Sequence, residues 1–119
     1  MTAQQRWAIA VLVTLLVSPL LAAPPIADTC ETALPIAFEP VAGSTMGAGA
    51  DGDASCGTSK LSPDVWYRFT PTAAARLVAS TAGSSFDTVV SAHRSCPPPT
   101  SGELACNDNG AGLQAAASF

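Results

Sequence analysis

The chain is poor in the groups on which most protein chemistry depends. It has one histidine (His93), one tyrosine (Tyr67) and five basic residues among 119. Lys60, Arg68, Arg76 and Arg94 stand singly, so no basic stripe exists to follow a phosphate backbone, and a nucleic-acid partner is excluded on charge. No close cysteine pair is present, and one histidine cannot complete a zinc set, which excludes zinc. Nucleophilic catalysis needs a nucleophile beside an oriented base. His93 precedes Arg94 at the end of a strand-like stretch and no nucleophile-elbow pattern occurs, so His93 reads as a solvated surface residue. Paired-carboxylate hydrolysis needs a deep cleft, which a chain this short has little room to build. The sequence reads as non-enzymatic.

The first 22 residues are a different material from the rest. Met1 to Arg6 is polar with one positive charge, Trp7 to Ala23 (WAIAVLVTLLVSPLLAA) carries no charge, and Ala22-Ala23-Pro24-Pro25 follows. These are the three regions of a secretory signal peptide, expected to be helical and cut after Ala22. The apolar run is shorter than the roughly 20 residues of a membrane span, and Ser18-Pro19 interrupts it. The membrane is therefore met only in transit. The expected organisation is a leader over 1–22, a linker over 23–29 and one domain over 30–119. Without Arg6, nine acidic residues face four basic ones, a net charge of −5.

Four cysteines remain after the leader: Cys30, Cys56, Cys96 and Cys106. An even number in a short exported chain points to disulfides. Three pairings are open. Joining Cys96 to Cys106 would close a short, turn-rich loop and leave Cys30 for Cys56.

Beyond the leader the sequence has the period of strands. Asp64 to Thr70 (DVWYRFT) puts Val65, Tyr67 and Phe69 on one face and Trp66 and Arg68 on the other, and Pro71 ends it. Arg76 to Thr81, Phe86 to His93 and Glu103 to Asn107 read as further strands, with Phe86, Thr88, Val90 and Ala92 on one face. Ala33 to Val41 reads as an edge strand, since Pro35 and Pro40 cannot donate to a ladder. Ala42 to Lys60 is rich in Gly, Ser, Ala and Asp and reads as a long loop with one short strand near Thr45. Leu113 to Phe119 begins another strand. Short strands at close spacing predict an all-β, antiparallel sandwich, incomplete at its C-terminal end and preceded by the leader helix.

Oxygen-rich turns supply candidate cation ligands. Asp51 and Asp53 flank a glycine, Asn107, Asp108 and Asn109 are consecutive, and Asp87 opens a strand; calcium takes such carboxylates and amides on loops. The same residues are also ordinary turn formers. Trp66, opposite the Val65/Tyr67/Phe69 face, is either core or a platform for stacking on a sugar ring.

Ordered along the chain, ASCG (54–57), PDVWYRFTP (63–71), SFDTVVS (85–91) and ELACNDN (103–109), preceded by DTCETA (28–33), resemble the cysteine-containing bacterial pre-peptidase C-terminal modules over about residues 28–119. The resemblance implies a jelly-roll-like sandwich, attached without catalytic role to exported proteins, and calcium at Asp87 and Asp108. A Gly-Thr-Tyr-Tyr-like final strand of that pattern is not found. The expected function is a non-catalytic extracellular binding or accessory module for a surface polysaccharide or a protein. The alternatives are a structural spacer, or a remnant of a larger secreted hydrolase or adhesin.

Overall fold

The computed structural model describes residues 7–13, 27–96, 102–110 and 112–119. Among them the fold is all-β, with no α-helix and two sheets. The strands are β1 (Trp7–Val13), β2 (Leu34–Ile36), β3 (Asp64–Phe69), β4 (Val78–Ser80), β5 (Thr88–His93), β6 (Glu103–Asp108) and β7 (Ala116–Ser118). Five form one sheet in the order β2-β3-β1-β5-β6, and β4 pairs with β7 in a second.

The alternation of β3 does what the sequence implies. Val65, Tyr67 and Phe69 turn towards the small sheet, and Asp64 and Trp66 turn to the opposite side, where the loops lie. In β5 the same two-residue period places Thr88, Val90 and Ala92 on the inner side and Ser91 and His93 on the outer, all five buried. Ile9, Val90, Ala115 and Ala117 form the core between the sheets; Ala10, Cys30, Ala33 and Trp66 form a second core outside the large sheet. The large sheet is therefore covered on one face by β4 and β7 and on the other by the segments before β2 and β3.

Three local expectations are corrected. Residues 7–13, expected in a leader helix, form β1 in the middle of the large sheet, antiparallel to β3 and β5; residues 1–6 and 14–26 lie outside the described residues. A short aliphatic run has no periodicity that separates buried strand from helix. The edge strand shrinks to Leu34–Ile36 and pairs with β3 in parallel, not antiparallel. The 27 residues between them (37–63) give the long crossover that a parallel pair requires. Thr45 is buried in a turn-forming segment and belongs to no strand. Ala27, within the segment expected as a linker, is buried, and its carbonyl accepts the Trp66 N–H at 2.8 Å.

All four cysteines form disulfides, Cys30–Cys96 and Cys56–Cys106, with Cα–Cα distances of 5.7 and 5.8 Å. This corrects the short-loop pairing. The β5–β6 register sets Cys106 opposite Ser91, five residues before Cys96. A disulfide needs its Cα atoms within about 7 Å. Both bridges instead tie the outer layer of loops to the far end of the sheet. Such bonds persist in oxidising compartments.

Candidate functional site

On the outer face the organising group is Asp64, a residue the sequence reading left without a role. It opens β3 and is fully buried. Its carboxylate accepts the Gly52 N–H and, at 3.5 Å, the Asp51 N–H, which fastens the acidic loop across the sheet. Asp51 Oδ1 in turn accepts the Trp66 indole N–H at 3.1 Å. Gly52 has to be glycine, because a Cβ there would run into the Asp64 carboxylate and the Trp66 ring. Burial pushes the Asp64 carboxyl up to about 7, helped by the Asp51 side chain and opposed by the two backbone N–H donors. Near neutral pH the Asp64 carboxyl is therefore partly protonated. The sequence signal was available, since an aspartate opening a strand of aromatic residues and an Asp-Gly-Asp loop both need partners.

Trp66 itself is 0% exposed. It cannot stack on a sugar ring and is core, closed in by the outer loops. His93 is likewise 0% exposed and not a solvated surface residue. Its Nε2 lies 2.9 Å from Ser91 Oγ, its ring centroid is 5.8 Å from that of Trp66, and Nδ1 has no hydrogen-bond partner among the described residues. Burial lowers its pKa, with Glu103 acting weakly the other way. A neutral ring leaves a buried lone pair on Nδ1 more cheaply than a buried N–H, which sets the proton on Nε2, donated to Ser91. Serine and histidine are in contact here, but neither is reachable by substrate.

Several of the candidate calcium ligands have partners of their own. Asp51 receives Trp66, Asp53 lies 3.9 Å from Lys60, and Asn107 Oδ1 accepts the Ala116 N–H at 3.3 Å. Asp108 ends β6 opposite Val89, which brings it to the same end of the sheet as Asp87. Asn109 turns the chain with φ of 64°. Among the described residues no three His, Cys, Asp or Glu side chains are grouped to hold a metal ion. Asn107 lies inside β6, one residue before its end, and Asn109 forms the turn that follows.

The inner face carries a feature with room for a ligand. The small sheet covers only part of the large one, and over β2 and β3 an open cleft of about 540 Å³ remains. Tyr67 and Phe69 of β3 and Ile36 of β2 form its floor; Phe38, Val41, Val78 and Phe119 form its walls. Phe38 is 83% exposed and meets Phe69 edge to face with centroids 4.9 Å apart. Among the described residues, three of the six exposed large hydrophobic ones (Phe38, Val41 and Val78) gather here. Charge is confined to Glu39 and Arg76, and Arg76 donates to Ser118 Oγ at 3.0 Å. Burial raises the pKa of the Tyr67 hydroxyl, and a Cβ on Gly43 would collide with it. Sequence reading missed the cleft because Phe38 and Val41 follow a strand that ends sooner than their apolar character suggests.

No protein-family model matches the chain, and neither a curated protein nor a solved structure does.

Proposed function

We propose that the chain is a non-catalytic extracellular accessory module that holds a protein partner in the apolar cleft over β2 and β3. The observation that carries the reading is the cleft: exposed Phe38, Val41 and Val78 converge on a concave floor of Tyr67 and Phe69. Concave, apolar surface left open to water is what binding sites for apolar side chains are made of. A protein fits better than a polysaccharide, because stacking on a sugar ring also needs charged or amide side chains around it to hold the hydroxyls, and the lining offers only Glu39 and an Arg76 already engaged with Ser118. The likeness to pre-peptidase C-terminal modules supports the accessory role, a jelly-roll arrangement of the strands and export. The two disulfides agree with residence outside the reducing cytosol.

The test is retention of the full, oxidised chain on immobilised extended peptides bearing bulky apolar side chains, beside a panel of polysaccharides. Retention on the peptides is expected, at least tenfold weaker for Phe38→Asp. That variant alters an exposed side chain, so its stability in urea unfolding stays within about 0.5 kcal/mol of the parent. Equal retention by the variant, or retention on polysaccharide alone, would overturn the reading.

A further inference from the structure

The central strand of the large sheet has an unusual origin. β1 comes from the apolar segment that reads as a removable leader, yet it lies between β3 and β5, paired over six residues with each. The neighbours are built to receive it. Asp64 and Trp66 send their N–H groups to the far side, to Gly49 and Ala27. The alternate residues of β3, Val65, Tyr67 and Phe69, therefore turn their main-chain groups towards β1. In β5, Thr88 bonds Leu113, and Arg94 just beyond bonds Gly102, both on the far side, so Val89, Ser91 and His93 turn theirs towards β1. Take β1 away and a slot one strand wide is left, with unpaired donors and acceptors on both banks.

The slot also selects side chains. Ala10 packs against Trp66, Cys30 and Ala33 on the outer side, where the indole leaves room for a methyl group, and Ile9 fills the inner core against Val90, Ala115 and Ala117. We propose that the gap between β3 and β5 is a strand-acceptor site. Its occupant after the leader is cut away is an extended apolar segment of another polypeptide, antiparallel to both banks, with a small residue facing Trp66 and a large aliphatic one facing β7. This site lies within the sheet and adjoins the cleft on its face, whose lining includes Ile9, while Phe38 of the cleft wall is no part of the slot. Strand addition of this kind draws affinity from main-chain bonds and specificity from alternate side chains.

The test uses the full chain with a protease site inserted between Ala23 and Pro24, folded and oxidised before cutting. A fluorescent peptide carrying residues 7–13 with charged tails is then offered to the cut protein. The cut protein is expected to exchange its own β1 for the peptide, with amide hydrogens of Val65, Tyr67, Val89 and Ser91 protected only while a strand is bound. The same peptide with Ala10→Leu should compete at least tenfold less well. Failure of the peptide to enter, unchanged protection when β1 is displaced, or equal competition by the leucine peptide would each overturn the proposal. Phe38→Asp leaves strand exchange intact, which separates this site from the cleft.

Discussion

Stability should fall as pH rises from about 5 to about 8, and Asp64 is the cause. Its carboxyl is wholly buried and titrates near 7, against 3.8 for an unhindered one. Between those values the folded protein keeps a proton that the unfolded chain has released, so rising pH favours unfolding. The full displacement is worth about 4 kcal/mol, of which more than half, about 2–3 kcal/mol, is lost between pH 5 and 8 by linkage. With a urea slope of about 1 kcal/mol/M, the midpoint of the oxidised full chain should drop by about 2 M, read by tryptophan fluorescence. His93 works in the opposite direction. Its folded pKa is depressed below 6.5 by burial, so it contributes stability above 6.5 that is lost as pH falls. Asp64→Asn keeps a carbonyl for the Gly52 N–H and an amide for Asp51, and removes the titration. In that variant the slope should reverse sign, stability rising with pH below 6.5. A flat profile in the parent, or a variant that keeps the parent's slope, would refute the reasoning.

Three further outcomes follow from the packing. Cys30→Ala with Cys96→Ala opens a bridge across 66 residues and should cost about 4 kcal/mol by the chain-entropy argument; peptide mapping of the parent should return Cys30–Cys96 and Cys56–Cys106, and a Cys96–Cys106 peptide would contradict the register of β5 and β6. Trp66→Ala should lower stability by about 3–5 kcal/mol, measured by urea unfolding, whereas a surface platform would lose almost nothing. Thr88→Val removes a buried hydroxyl that bonds Thr81 and receives the Ala115 N–H at 3.1 Å; Thr81 still accepts that N–H at 2.9 Å, so the cost should be about 1–2 kcal/mol, visible as a lower melting temperature.

What could be read from the residues was whatever depends on neighbours in sequence. Val65, Tyr67 and Phe69 announce a strand and its inner face because alternation is a local property. Pro35 announces an edge for the same reason, and β2 is indeed at the edge. Partner choice is not local. Nothing in Cys30 or Cys96 says that β5 and β6 run past each other far enough to part Cys96 from Cys106. Nothing in Leu34–Ile36 says that a long crossover will return it parallel to β3. His93 looks like a strand end in water until β1 and the outer loops close over it. The candidate site was the least legible part. Trp66 was singled out for its chemistry and proved to be enclosed, while the cleft arises from how little of the large sheet β4 and β7 cover.

The two cross-links are interlaced, 30 with 96 and 56 with 106, and that order has a consequence for biogenesis. A chain emerging amino-end first delivers its two early thiols at least forty residues ahead of either correct mate. Whatever oxidant they meet can close them on each other, and that first product has to be undone. Rearrangement proceeds by attack of a late thiolate on the misjoined pair, on a scale of seconds to hours. Maturation should therefore depend on a thiol isomerase and not on an oxidase alone, and a strain lacking the isomerase should accumulate the consecutive pair.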